Sequence, residues 1–273
     1  MLPERLWFLS AVIIYGLGLL YSIFIWRRGF QYNNWTSYAL IFIAFIMHTM
    51  ALTTRGVSLQ QYPVNNLYEV TTFILWTISL SSLICGLWTR LRYIGVFTAP
   101  LLFSVGVFAM MPGLDQPYGD EPNFTNGWKS LHVALIMLGY GAFGLSAITG
   151  SMFLTQDRNL KIHRASAIFS MLPPIQRLEK LITYTLLIGI ILLTGGISIA
   201  AVFIELQDGM SFWNDSKVIW SLLVWGFYLA LLIAHIKLDQ RGKRYAWLSI
   251  IVFCFVIFTF WGTNLLSDIH NPK

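Results

Sequence analysis

Long apolar runs dominate this chain and restrict its fold more than any single motif does. About eight stretches approach the ~20 residues that an α-helix needs to cross the hydrocarbon of a bilayer. They fall at 7–26, 35–52, 67–87, 93–111, 130–154, 181–204, 218–236 and 246–266. Backbone polar groups cannot be left unpaired in lipid, so each run is expected to be a helix. The expected fold class is an all-α integral membrane protein with about eight transmembrane helices. Only 11% of the 273 residues are charged, against about 25% in an ordinary soluble domain. The whole of 1–273 therefore reads as a single polytopic membrane domain, with no internal repeat or separate soluble unit.

The loops carry the orientation. Arg27 and Arg28, Arg90 and Arg92, then Arg158, Lys161, Arg164, Arg177 and Lys180, then Lys237, Arg241, Lys243 and Arg244 make 13 of the 18 basic residues, all in loops that follow odd-numbered runs. The other side, with both termini, holds Arg5, Arg55, Lys129, Lys217 and Lys273. The positive-inside rule then puts the odd loops in the cytoplasm and both termini on the outer side, here the outer face of a bacterial plasma membrane. The net charge of +6 thus belongs to loops beside a lipid bilayer, and nucleic acid is not expected as a partner. Glu4 and Arg5 precede the first run and no small-residue cleavage site follows it, so it reads as a span and not as a removable signal.

Several smaller features follow from the same frame. Cys85 and Cys254 lie inside apolar runs without a CxxC, which suits buried structural cysteines better than dithiol chemistry or zinc. The loop 156–180 mixes basic and apolar residues around Pro173-Pro174, so it holds either a short helix on the inner membrane surface or a solvated helix pair. Trp35, Tyr68, Trp88, Tyr93, Trp128, Trp213 and Tyr245 mark ends of runs, as interfacial aromatics do.

One stretch interrupts the apolar back half. Residues 206–225 carry Asp208, Asp215 and Lys217 among Phe212, Trp213, Trp220 and Trp225. Two histidines share its outer level: His132, about one turn into the fifth run, and His270, after the eighth. His48 lies in the outer half of the second run, His235 near the inner end of the seventh, and His163 in a cytoplasmic loop. Histidines within membrane spans are uncommon and usually functional, although each alone also suits helix packing. Two imidazoles at one level can ligate a transition metal or the iron of a haem. A bare zinc or copper ion would need Asp215 or His48 to complete its shell. Flat aromatic rings suit a porphyrin, and they equally suit an interfacial belt.

Four segments resemble the cytochrome c assembly family, the CcsA/ResC class of membrane haem-handling proteins. Tyr62-Pro63-Val64-Asn65-Asn66-Leu67-Tyr68-Glu69 is similar to the family's FPxSNLYE, and Thr98-Ala99-Pro100 to its TAP. Trp128-Lys129-Ser130-Leu131-His132-Val133, running to Leu138-Gly139-Tyr140, resembles WLxxHVxxxxLGYAAL. Phe260 to Leu266, with His270 after it, resembles YFGVNLLGxGLH. The hallmark tryptophan-rich WWD segment is met only in its second half, where Asp215 to Trp225 aligns with DPKETWALxxW. Phe212, Trp213 and Asn214 stand where further tryptophans are expected.

The resemblance implies haem b held at the outer face by His132 and His270 as axial ligands. Trp213, Asp215, Trp220 and Trp225 would form the lip over it. An apocytochrome c with a CxxCH motif would receive the haem, and a CcsB/ResB-type membrane protein would be the partner. His235 lies close to the family's inner histidine, which serves a second haem, although two residues late. Arg55, Lys129 and Lys217 are the outer cations nearest in level for the propionates. Two readings compete with this one. A HemX-like membrane regulator or scaffold would keep the frame without the full hallmark. A transporter would need polar groups in mid-membrane, and here the spans carry few beyond Ser and Thr.

Overall fold

The structure, a computed structural model, describes residues 3–28, 34–59, 63–64, 66–88, 91, 93–111, 113–115, 127–161, 172–203, 216–237 and 241–264; the side chains of 25–28, 34, 216–217 and 259–264 lie outside that description. Among the described residues are eight α-helices: α1 (Pro3–Arg28), α2 (Asn34–Leu59), α3 (Leu67–Gly86), α4 (Ile94–Ala109), α5 (Gly127–Lys161), α6 (Ile175–Phe203), α7 (Ser216–Lys237) and α8 (Lys243–Asn264). Each coincides with one expected apolar run. Six of them, α1, α2, α3, α5, α6 and α7, are long and apolar enough to cross a membrane by length and composition.

The ends of two helices differ from expectation. At 35 residues, α5 would measure about 52 Å at 1.5 Å per residue, well beyond the ~30 Å of hydrocarbon. Part of its excess is the polar stretch at 156–161. Helix α6 likewise starts at Ile175. The connection expected at 156–180 is therefore consumed from both sides by helix, and 162–171 lie outside the described residues. Helix α4 has only 16 residues and holds Pro100 in its interior.

Hydroxyl side chains answer the backbone rule of the bilayer locally. Ser22, Thr98, Thr149 and Thr194 each donate to the carbonyl four residues back, which satisfies a polar group without any partner from outside the helix. The packing forms two groups. Helices α1 to α4 pack on one another, and α5 packs with α6 and α8, while α7 bridges α6 and α8. The contacts of α3 with α5 join the groups. The closest seam is α5 on α6, where glycine lets the backbones approach: a Cβ on Gly189 would sit 2.4 Å from Phe143 Cε1, and one on Gly196 2.6 Å from Ile136 Cγ1.

Some expected interfacial or buried residues are placed differently. Tyr68, Tyr93 and Tyr245 are buried in the bundle, because each ring finds helix or side-chain neighbours there. Tyr68 packs edge-on against Phe8 and lies under the Arg5 and Arg55 guanidiniums. Trp35, Trp88 and Trp128 remain exposed. Cys254 is exposed on α8 and Cys85 half-buried, so neither is the fully buried cysteine that the sequence suggested.

Candidate functional site

The site is built from α5, α6 and α7 at the end of the bundle where α5 and α7 begin. His132 lies in the second turn of α5 and is half-buried. Its Nδ1 is 2.7 Å from the carbonyl oxygen of Gly196 on α6. A carbonyl only accepts, so Nδ1 carries the proton. In the neutral ring the lone pair is then on Nε2, the arrangement in which histidine ligates a metal. The approach depends on Gly196, since a Cβ there would also come within 3.4 Å of the His132 backbone oxygen.

Helix α7 brings the two described tryptophans of the lip to the same end. Trp225 donates from Nε1 to Thr194 Oγ1 at 2.9 Å, which fixes α7 against α6. Trp220 is 8% exposed and packs on Phe255 of α8, with ring centroids 5.4 Å apart. Its indole N–H is buried and has no hydrogen-bond partner among the described residues. A buried donor without an acceptor is costly, and an acceptor on a bound molecule would satisfy it. Trp128 stacks on Phe203 at 4.1 Å and closes the start of α5 onto the end of α6. The residue types at this end, an imidazole held by a carbonyl, indole rings and an unmet N–H, are of the kind that suits an iron porphyrin. Trp213, Asp215 and His270 lie outside the described residues.

His235 is at the opposite end of the bundle. Its ring stacks on Tyr245 with centroids 4.0 Å apart, and its Nδ1 is 3.9 Å from Glu179 Oε1. Glu179 also accepts from the Gly242 backbone at 3.2 Å. These contacts tie α6, α7 and the start of α8 together. His48 is fully buried on α2 between Phe8 and Tyr15 of α1. Among the described residues there is no group of three or more His, Cys, Asp or Glu placed to hold a bare metal ion.

The sequence reading missed an ion cluster at the His132 end, in the first helical group. Arg55 donates from Nε to Glu69 at 2.9 Å, from one terminal nitrogen to Glu4 at 3.3 Å and from the other to Asp115 at 2.6 Å. Arg5 binds the second oxygen of Asp115 at 2.7 Å. Asn66 caps α3 by accepting from the Glu69 N–H at 2.8 Å and donates to Asp115 at 2.8 Å. Arg55 is thus committed to three carboxylates and does not serve a propionate. The signal was present in Asn66-Leu67-Tyr68-Glu69, a cap residue followed three positions later by Glu. In this fold the Glu also accepts from Arg55.

A sequence model described as cytochrome C assembly protein matches residues 64–270. Three relatives bear the name cytochrome c biogenesis protein CcsA. The one from Guillardia theta is 25% identical over 278 residues, covering 95% of this chain and 90% of the relative. That from Gloeobacter violaceus is 25% identical, with 83% of this chain and 82% of the relative covered. That from a Synechococcus species is 27% identical, with 79% and 78% covered.

Proposed function

The chain belongs to the cytochrome c assembly protein family, and from that premise we propose that it binds haem and presents it for attachment to an apocytochrome c. The observation that carries the reading is the 2.7 Å bond from His132 Nδ1 to Gly196. It orients the ring and sets the proton on Nδ1. In this reading haem b is the cargo, with His132 and His270 as axial ligands at the outer face of a bacterial plasma membrane. Trp213, Asp215, Trp220 and Trp225 form the lip, with the unmet N–H of Trp220 turned to an acceptor on the cargo. Each thiol of an apocytochrome CxxCH adds across a vinyl group of the haem, a step that needs no external oxidant. The chain's own share is orientation and exclusion of water. A CcsB/ResB-type protein is the partner, and His235 serves a second haem at the inner end. Lys129, half-buried beside His132, replaces Arg55 as the cation for a propionate.

The test is an optical spectrum of the protein purified with its membrane partner, beside a His132→Ala, His270→Ala double variant. The wild type is expected to show a sharp low-spin Soret band that the double variant loses. Added imidazole should restore part of it in His132→Ala alone. The fold survives that truncation, because Gly196 lies inside α6 and its carbonyl retains its helical bond. A wild type that takes up no haem when haem is supplied refutes the proposal and leaves a HemX-like scaffold.

A further inference from the structure

One turn of α6 holds two of the candidate site's side chains. The Gly196 carbonyl accepts from His132 Nδ1 at 2.7 Å, and Thr194 Oγ1, two residues earlier, accepts from Trp225 Nε1 at 2.9 Å. At 1.5 Å and 100° per residue, these two positions lie about 3 Å apart along α6 and about 160° apart around it. They therefore meet α5 and α7 on different sides of one rod. The Thr194 hydroxyl is itself fixed, because it donates its proton to the Ile190 carbonyl at 2.7 Å. That back-bond selects the rotamer of a β-branched side chain and leaves only lone pairs for the indole. Thr194 is exposed and Trp225 half-buried, so packing alone does little to hold the ring on this side.

The same fastening joins α3 to α2 in the other helical group. There Trp76 Nε1 donates to Thr49 Oγ1 at 2.9 Å, and Thr49 donates to the Phe45 carbonyl at 2.7 Å. The bond by itself is thus a helix-to-helix fastening, and its surroundings distinguish the second copy. The helix that carries Thr194 also carries the carbonyl that orients His132. We propose that Thr194 is a positioning residue of the haem site: it sets the Trp225 ring, and the shared turn of α6 fixes that ring's place relative to His132. The proposal rests on the haem reading above and adds to it a residue outside every segment that resembles the family.

The experiment uses the full chain, purified with its membrane partner and loaded with haem. Excess apomyoglobin is added and haem loss is followed at the Soret band. Thr194→Val keeps the shape and removes the acceptor, and should release haem about fivefold faster, the worth of one hydrogen bond. Thr194→Ser restores the hydroxyl and should release it at close to the wild-type rate. Thr49→Val removes the matching bond in the other group, so it should lower the thermal midpoint as Thr194→Val does and yet release haem like the wild type. Trp225→Phe has no N–H and should release haem faster. Adding Thr194→Val to it should change the rate less than about twofold, because the hydroxyl acts through the indole. If Thr194→Val proves misfolded, Thr194→Ala at the same exposed position makes the comparison. Equal release by the wild type and Thr194→Val overturns the proposal, as do additive effects in the double variant. Release from Thr49→Val as fast as from Thr194→Val also overturns it, since lost stability alone would then explain both. A wild type that takes up no haem overturns the haem reading and this proposal together, an outcome distinct from uptake followed by equal release.

Discussion

At the residue scale the strongest local arrangement is Arg55 with its three carboxylates. Glu4, Glu69 and the Asp115 side chain are each under a tenth exposed, so water does little to screen them. Removing one partner of a buried ion group is far worse than replacing the whole group, because the remaining charges are left without compensation. Arg55→Met should therefore cost about 3–5 kcal/mol, read as a lowered midpoint of thermal unfolding in detergent. Arg55→Lys should recover only part, since an ammonium cannot serve Glu69, Glu4 and Asp115 with separate fixed donors. A midpoint for Arg55→Met equal to wild type would mean that the cluster is dispensable. The sequence showed Arg55 as a lone cation at a helix end and so offered it to a propionate. Its partners come from α1, the start of α3 and the segment after α4, and such a meeting follows from packing, not from spacing. The position of His132 near a helix start was legible for the opposite reason: it follows from counting along one helix.

At the scale of elements, the helices were legible because lipid imposes one rule on all of them, and apolar length records it. What the sequence left open is which faces touch. The adjacent glycines Gly195 and Gly196 look equivalent in the sequence, and the structure separates them. A Cβ on Gly195 would meet Leu135 Cδ1 at 3.6 Å, an ordinary contact, whereas one on Gly196 would press Ile136 Cγ1 at 2.6 Å. Gly195→Ala should be neutral or stabilising by up to about 1 kcal/mol, the helix propensity of alanine over glycine. Gly196→Ala should cost about 1–3 kcal/mol through overpacking. It should also broaden the Soret band of the haem-loaded protein, since α6 carries the carbonyl that orients His132. Thermal midpoints of the two variants, measured side by side, check the contrast. Equal midpoints would mean that the α5–α6 seam yields freely.

At the scale of the molecule, the pairing of helix ends decides what the outer face offers. The starts of α1, α3, α5 and α7 share one end of the bundle, and the starts of α2, α4, α6 and α8 the other: the bonds from Arg5 and Arg55 to Asp115 and from Gly242 to Glu179 join ends within each group, and Gly141 and Gly144 of α5 lie against Thr77 and Ile78 of α3 between the groups. The described residues include Arg158, Lys161, Arg177, Lys180, Lys237, Arg241, Lys243 and Arg244 at the Glu179 end. At the His132 end Arg5 and Arg55 are bound to carboxylates, so the charge asymmetry there is steeper than a residue count suggests. The positive-inside rule then predicts that the Glu179 end faces the cytoplasm. In a chain with Cys85 and Cys254 changed to Ser, a cysteine at Gly127, where a Cβ meets nothing within 4 Å, should react with a membrane-impermeant maleimide in intact cells. A cysteine at Gln176, exposed near the start of α6, should react only after permeabilisation. The reverse pattern would put His132 on the cytoplasmic side and remove the outer delivery of haem to an apocytochrome, while leaving the helix packing untouched.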